Sequence, residues 1–193
     1  LLDDAGWVDR DGDGVREKTI HGKPVPLRFE LISNSGNAIR KNIGLIIVSE
    51  FRRAGIDASF RELDWSIMLQ RLDNREYDAV IIGWQFSPAE PDLYQIWHST
   101  QTARGGSNHV NFVNAEVDRL LVEYRREFEE QKRIELYRRV QEIIHEEAPY
   151  DFLFMSKAVT AYDRRFRGVR WFKTGSTNTG EWWVPLAEQR YGN

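Results

Sequence analysis

The sequence predicts an α/β protein with a mostly parallel sheet and flanking helices. Strand-like and helix-like patterns alternate through the first half of the chain, and the third strand-like pattern is apolar without interruption. Alternating apolar and polar residues are typical of a half-buried strand, whereas a continuous apolar run is typical of a strand covered on both faces. Strands separated by helices generally pair in parallel, which leads to this fold class.

Three strands and two helices are expected in the first half of the chain. The strands are predicted near 26–32, at 56–60 and at 77–84, where the residues AVIIGW are continuously apolar. The first helix places apolar side chains on one face over 39–51. Asp64 is the expected N-cap of the second, shorter helix.

The second half of the chain is predicted to be helical before it returns to strand. Asn114 is the expected N-cap of one helix, and a second amphipathic helix continues until Pro149. The segments 151–162 and 168–172 are rich in aromatic and β-branched residues and are predicted as strands. The sequence shows no internal repeat and no low-complexity segment.

Composition excludes several classes of function. The chain has 193 residues, of which 41% are hydrophobic and 30% charged, as expected of a globular protein with a core. A net charge of −3 argues against nucleic acid as a partner. The absence of cysteine excludes thiol catalysis, disulfides and thiolate metal sites. The opening residues LLDDAGW resemble the end of a helix closed by Gly6, so we expect a piece of a longer protein.

The ends of the three predicted strands supply a candidate binding edge. In open parallel sheets, ligands bind in the crevice beyond the carboxyl ends of the strands. Aromatic and polar side chains gather there, and the edge is expected to be neutral apart from Asp64 and one further acid. Such an edge suits stacking on, and hydrogen bonding to, a small extended ligand. The predicted ligand-binding residues are Asn34, Trp65, Trp84, Phe86, Ser87, Glu90 and Asn108. The alternative is that tryptophans of this region, Trp97 above all, fill a core.

The segment DRDGDGVRE is the sharpest local motif. It matches the first half of a calcium loop of the EF-hand type, but Ile20 stands where the bidentate Glu belongs. The ligands it offers a structural Ca²⁺ are the carboxylates of Asp9, Asp11, Asp13 and Glu17 and the carbonyl of Val15. The alternative is a tight turn whose side chains bond to their own backbone.

Catalytic motifs are missing from the sequence. The four histidines do not stand at metal-ligand spacing, the serines lack a nucleophile elbow, and there is no phosphate-binding loop. The sequence therefore predicts a protein that is not an enzyme and requires no cofactor.

The order of the segments resembles a known family. The chain carries in succession LLDDAGW, DRDGDG, FELI, FRRAGIDASFRELDWSIMLQRLDNREYDAVIIGW, EPDLYQIWHS, GGSNHVNFVNAEVDRLLVE, RIELYRRVQEIIHEEAPYDFLF and RGVRWF. Together they resemble the C-terminal lobe of extracellular solute-binding proteins of family 5, the peptide and oligopeptide receptors of ABC importers. The resemblance implies that residues 1–193 form a single lobe of a type II periplasmic-binding-protein-like fold, with the other lobe absent. It also implies an extracytoplasmic location and three partners: an extended solute, the N-terminal lobe of the same chain, and the membrane permease.

Two positions depart from the dipeptide-binding members of that family. Those members pair the peptide amine with an aspartate where this chain has Ser87, and the peptide carboxylate with an arginine where it has Asn34. Glu90 is the acid nearest to the first position. Because a buried unpaired charge costs several kcal/mol, a ligand without a buried terminal charge is expected, such as a long peptide or an oligosaccharide.

Three functions remain open at this point. The first is the substrate-binding component of an ABC importer, of which this lobe closes on an oligopeptide or a similar extended solute. The second is a secreted, glycosidase-like hydrolase, which would need two carboxylates facing each other across the loop of Trp84. The third is a structural or interaction module.

Overall fold

The computed structural model describes residues 1–85, 92–155, 157, 159–172 and 177–190. The chain divides into two compact units. The first comprises Leu1–Trp84 and Leu93–Arg126, and the second comprises Gln85–Asp92 and Glu127–Asn193. Within the described ranges, no helix has both the length and the apolar character needed to cross a membrane.

A β-hairpin that the sequence analysis missed precedes the main sheet. Strands β1 (Glu17–Ile20) and β2 (Lys23–Pro26) pair antiparallel. The two residues that join them, His21 and Gly22, both have positive φ, 49° and 77°. This backbone matches the twist of the two strands, as in the primed turns that favour two-residue hairpins.

The main sheet confirms the predicted α/β fold. Strands β3 (Arg28–Asn34), β4 (Asp57–Leu63) and β5 (Ala79–Val80) form a three-stranded parallel sheet in the order β4-β3-β5. The third strand is much shorter than predicted: two residues pair as strand, and the pairing continues only through the hydrogen bond from Ile81 N to Ile32 O at 2.9 Å.

Two helices cover the sheet. Helix α1 spans Ala38–Arg53 and helix α2 spans Trp65–Asn74. Since consecutive side chains of a strand point to opposite faces, Leu31 and Ile32 of β3 enter different cores. One core joins β3 to α1 and the other joins it to α2, and each buried aliphatic side chain contributes about 2 kcal/mol. The first core is built on Leu31, Val48, Ala58 and Ile81, and the second on Ile32, Met68 and Leu72.

Caps place the helices where the sequence predicts them. The side chain of Asn37 accepts the N–H of Arg40 at the start of α1. Asp64 precedes α2 as expected, although its side chain makes no capping hydrogen bond. The remainder of this unit carries α3 (Tyr94–Trp97) and α4 (Ala115–Arg126), and Asn114 Oδ1 caps α4 by accepting the N–H groups of the second and third helical residues.

The described residues of the second unit form one long helix, two short 3₁₀ turns and isolated bridges. Helix α5 (Glu130–Glu147) buries Val140, Ile143 and Ile144 on one face. The strands predicted at 151–162 and 168–172 are wrong: the described part of these segments holds one isolated bridge, from Trp171 to Thr177. A strand needs a ladder partner, and the apolar side chains of 152–155 are exposed here rather than packed against one.

Candidate functional site

The carboxyl ends of the strands bring three of the predicted ligand-binding residues to one edge of the first unit. Asn34 is the last residue of β3, Trp65 opens α2 directly after β4, and Trp84 follows β5. The two tryptophans are 50% and 36% exposed, so each presents part of its ring to solvent. The other three predicted residues of this edge, Phe86, Ser87 and Glu90, lie outside the residues that the structure describes.

Trp84 is supported from one side by His109. The two rings stack with centroids 6.0 Å apart and an interplanar angle of 12°. Burial lowers the pKa of the His109 imidazole, and the positive charge of Arg75 lowers it further, while Asp73 acts in the opposite direction. The imidazole is therefore neutral near pH 7, and it supports a flat aromatic surface without placing a charge beside it.

Arg75 holds the loop that carries His109. It is the C-cap of α2 in the left-handed region, with φ 61°. Its guanidinium donates to the carbonyl oxygens of Leu72, Thr102 and Asn108 and lies 3.2 Å from His109 Nδ1. One cation thus links the end of α2 to the loop after α3, and this link sets the position of the ring beneath Trp84.

Asn108 and Trp97 stabilise the same loop from within. The side chain of Asn108 is fully buried: its amide donates to Phe112 O at 2.8 Å, and its oxygen accepts Phe112 N at 2.9 Å. Contact with a ligand would break these bonds, so the predicted binding role of Asn108 is corrected to a structural one. Trp97 is 4% exposed and packs edge-to-face on Phe112, which supports the core alternative for this tryptophan.

The structure adds a cation that the sequence analysis missed at this edge. Arg40, in the first turn of α1, is partly buried and donates from Nη1 to Asn34 Oδ1 at 2.6 Å. Its other terminal nitrogen approaches the chain that leads to Trp84, because a Cβ on Gly83 would lie 3.2 Å from Arg40 Nη2. The expected neutrality of the edge is therefore corrected.

The sequence contained a signal that could have identified Arg40 as an unusual residue. Acidic residues are favoured in the first turn of a helix, where the macrodipole is positive, and basic residues are disfavoured. The first turn of α1 contains no acid but carries Arg40 and Lys41. Lys41 pairs with Glu62 at 2.9 Å, whereas Arg40 has no such carboxylate in the described part of the chain. A cation placed against the local electrostatic preference points to a role in tertiary structure or binding.

The acidic loop brings three carboxylates together. Asp9, Asp11 and Glu17 each offer an oxygen atom within 4.8 Å of the others. These groups already accept hydrogen bonds: Asp9 from Gly12 N and Gly14 N, Asp11 from Asp13 N, and Glu17 from Arg10 N. Asp13 in turn accepts Val15 N. The loop is therefore a closed turn as well as a group of oxygen ligands of the kind that calcium prefers.

A shallow pocket of about 380 Å³ lies at the opposite, amino-terminal edge of the sheet. Its charged residues are already engaged in ion pairs or hydrogen bonds within the protein. Arg28 pairs with Asp57 at 2.5 Å, and Asp78 accepts Glu30 N at 2.9 Å. These contacts join the first residues of the strands, so the pocket is interpreted as part of the sheet framework.

Comparisons with known proteins agree with the fold. The family model of bacterial extracellular solute-binding proteins, family 5 Middle, matches residues 1–106. The chain is 30% identical to the oligopeptide-binding protein AppA of Bacillus subtilis over 95% of its length, which is 33% of that protein. The structure of AppA from Bacillus subtilis in complex with a nonapeptide superposes with a TM-score of 0.74 and 28% identity, covering 95% of this chain and 36% of that one.

A second solved structure shows that similar proteins carry other ligands. NikZ from Campylobacter jejuni in complex with Ni(L-His) superposes with a TM-score of 0.65 and 27% identity, covering 77% of this chain and 29% of that one. The chain spans about a third of the length of the curated relative AppA. Since the family model matches more than half of the sequence, the chain belongs to the bacterial extracellular solute-binding proteins of family 5.

Proposed function

We propose that this chain is the C-terminal lobe of the substrate-binding component of an ABC importer. The lobe closes, with the N-terminal lobe of the same polypeptide, on an oligopeptide or a similar extended solute and delivers it to the membrane permease. The protein works outside the cytoplasm, in the periplasm or at the outer face of the cell membrane. The solute lies at the carboxyl edge of the parallel sheet, where Trp65 and Trp84 offer aromatic faces and Phe86, Ser87 and Glu90 complete the predicted site.

The observation that carries this proposal is the likeness to a peptide-bound receptor along nearly the whole chain. It extends over 95% of this chain, and the protein it matches holds a nonapeptide. The family consists of solute-binding proteins rather than enzymes, so the hydrolase alternative is not retained. An aromatic edge also suits an oligosaccharide, and the experiment has to separate the two ligands.

Binding by the full receptor tests the proposal. We expect mass spectrometry of the purified receptor to find a co-purified peptide, and titration with peptides to give saturable binding. Trp84→Ala should weaken that binding roughly tenfold, because a stacked aromatic surface is lost, and should cost more affinity than Glu90→Gln. Trp171→Ala, which removes another exposed tryptophan, is the matched control and should leave affinity unchanged. If the receptor bound neutral oligosaccharides but not peptides, an oligosaccharide would replace the peptide as the proposed ligand.

The isolated lobe supplies a further check on closure. A ligand held between two lobes loses most of its exposed surface, whereas a ligand bound to one lobe alone keeps one side exposed to water. The 193-residue chain is therefore expected to bind the same peptide far more weakly than the full receptor. Tight, stoichiometric binding by the chain alone would contradict the two-lobed mechanism.

The acidic loop remains a predicted structural Ca²⁺ site within this proposal. If Asp9, Asp11, Asp13, Glu17 and the Val15 carbonyl hold the ion, millimolar Ca²⁺ should raise Tm, because a ligand bound only by the folded state stabilises it.

Two aspartate variants separate the calcium site from a simple turn. Asp11→Ala should abolish the rise in Tm caused by Ca²⁺. Asp4→Ala, which removes an exposed carboxylate outside the loop, should preserve that rise. An unchanged Tm of the parent chain in Ca²⁺ would leave the loop as a hydrogen-bonded turn.

A further inference from the structure

We propose that His109 is a positioning residue for Trp84 that acts only in its uncharged form, so that the receptor releases its solute when His109 takes up a proton. The inference rests on the proposed function and concerns the regulation of the same binding edge. Trp84 and His109 both belong to the first compact unit, and their stacked rings have centroids 6.0 Å apart.

The contact with Arg75 determines which nitrogen of His109 carries the proton. Arg75 Nη1 lies 3.2 Å from His109 Nδ1. A guanidinium has donors but no acceptor, so Nδ1 accepts this hydrogen bond and the ring proton is on Nε2. A second proton would have to bind at Nδ1, where it would point a donor at a donor and bring two cations together. The observed contact therefore requires a neutral imidazole.

The charged and titratable groups around this imidazole act in opposite directions. Burial lowers the pKa of His109, Arg75 at the C-cap of α2 lowers it further, and Asp73 of α2 raises it. Asp73 is exposed, so solvent screens its charge and the two lowering effects dominate. Tyr77 donates its phenol hydrogen to His109 O at 2.7 Å, and burial raises the pKa of that phenol, so Tyr77 adds no charge.

The backbone of His109 is held by contacts that do not depend on the protonation of its ring. Arg75 donates to two other carbonyl oxygens of the same loop, and Tyr77 donates to that of His109 itself. The side chain is only partly buried, so a protonated ring can turn outward to water while the loop stays in place. Trp84 then loses the ring on which it stacks, although the chain remains folded.

Proton uptake and solute binding are therefore opposed. A solute that stacks on Trp84 needs the neutral form of His109, and the protonated fraction grows as the pH falls below the pKa of this residue. Because one proton is involved, affinity should decrease about tenfold for each pH unit below that pKa and stay constant above it. This pKa lies below the ordinary value of a histidine, so the solute is retained at neutral pH and released in acidic surroundings.

A pH series of peptide affinity in the full receptor tests the inference. The probe is one pool of pentapeptides with uncharged side chains, used from about pH 8 to about pH 4, so titration of the peptide termini affects the parent and its variants equally. His109→Asn keeps an acceptor oxygen for Arg75 but cannot take up a proton, so it should lack the additional decrease in acid that the parent shows. His145→Gln, which removes an exposed histidine of α5, is the matched control and should retain that decrease.

Asp73→Asn tests the sign of the effect. Since Asp73 raises the pKa of His109, its removal should move the decrease to lower pH and leave affinity near neutrality unchanged. A move to higher pH would contradict the inference. Far-ultraviolet circular dichroism at each pH should show that the receptors stay folded.

The outcomes separate the inference from the proposed function. Coincident pH profiles of the parent and His109→Asn receptors, with peptide binding intact at neutral pH, overturn the inference and leave the proposed function standing. Failure of the parent receptor to bind the pool at neutral pH overturns the proposed function and the inference with it.

Discussion

Arg75→Ala is expected to lower the free energy of unfolding by about 3 kcal/mol, since hydrogen bonds from a charged donor are strong and their loss leaves acceptors unpaired. The guanidinium donates to the carbonyl oxygens of Leu72, Thr102 and Asn108. Alanine replaces none of these donors, and the loop from Thr102 to Asn108 loses its link to α2. Urea unfolding, followed by circular dichroism, measures the change.

Arg75→Gly is the matched control for the backbone. Arg75 has φ 61°, in the left-handed region, where a residue with a Cβ is disfavoured by about 1 kcal/mol and glycine is not. Both variants lose the same hydrogen bonds, so Arg75→Gly should be less destabilised than Arg75→Ala by about that amount. The near-ultraviolet signal of Trp84 should weaken in both variants, because His109 is released from its position. Wild-type stability in Arg75→Ala would contradict the role given to this residue.

Gly106→Ala is expected to destabilise the chain to a similar extent, by about 3 kcal/mol. A Cβ at position 106 would lie 2.1 Å from the carbonyl oxygen of Gln101 and 2.6 Å from its carbonyl carbon. Both are backbone atoms, so no side-chain rotation relieves the overlap. The same carbonyl accepts Asn108 N at 3.1 Å, and moving it away breaks this bond as well.

Two other glycines give controls of graded strength. Gly105 has φ +84° but free space around its Cβ position, so Gly105→Ala should show only the backbone cost of about 1 kcal/mol. Gly180 has neither a close neighbour nor a positive φ, so Gly180→Ala should lie within about 0.5 kcal/mol of the parent chain. The expected order of destabilisation is therefore Gly106, Gly105, Gly180. An equal effect at 105 and 106 would show that the overlap with Gln101 is not the cause.

Arg75→Ala and Gly106→Ala both change residues that support the binding edge and that are not part of the edge itself. The loop between Gln101 and Asn108 leads directly to His109, whose ring stacks on Trp84. A solute that stacks on Trp84, as proposed above, depends on the His109 ring to hold the indole in a fixed orientation. Loss of stability in the loop is thus expected to reach the proposed function through the orientation of one tryptophan.

The predicted elements that the structure confirms are those determined by a few neighbouring residues. The periodicity around 39–51 predicts α1, and Asn114 marks the start of α4 through its own side chain. The hairpin of β1 and β2 was missed because its turn, His21-Gly22, lacks the Asn-Gly or Asp-Gly pair that usually marks such turns. The two strands predicted after Pro149 failed because a strand also requires a partner, which composition does not supply.

In the candidate site too, the sequence predicted which residues lie at the edge but not which contacts their side chains make. Sequence order alone placed Asn34, Trp65 and Trp84 at the carboxyl edge, because parallel strands separated by helices end on one side of their sheet. It did not assign the contacts of Asn108, which is next to His109 in the chain but turns inward to bond the backbone of Phe112. Of two residues adjacent in sequence, one can face the core and the other the surface, and only the packing of the fold determines which.

The sequence by itself determined the α/β class, the family resemblance and the edge at which a solute is expected. These follow from local periodicity, from caps and from the order of segments along the chain. Only the tertiary structure decided that Arg40 reaches Asn34 and approaches Gly83, and that His109 lies beneath Trp84. Gly83 is far from Arg40 along the chain, as His109 is from Trp84. Such pairs form because the helices and the sheet pack in one particular arrangement, and no local pattern of residues encodes the distances between them.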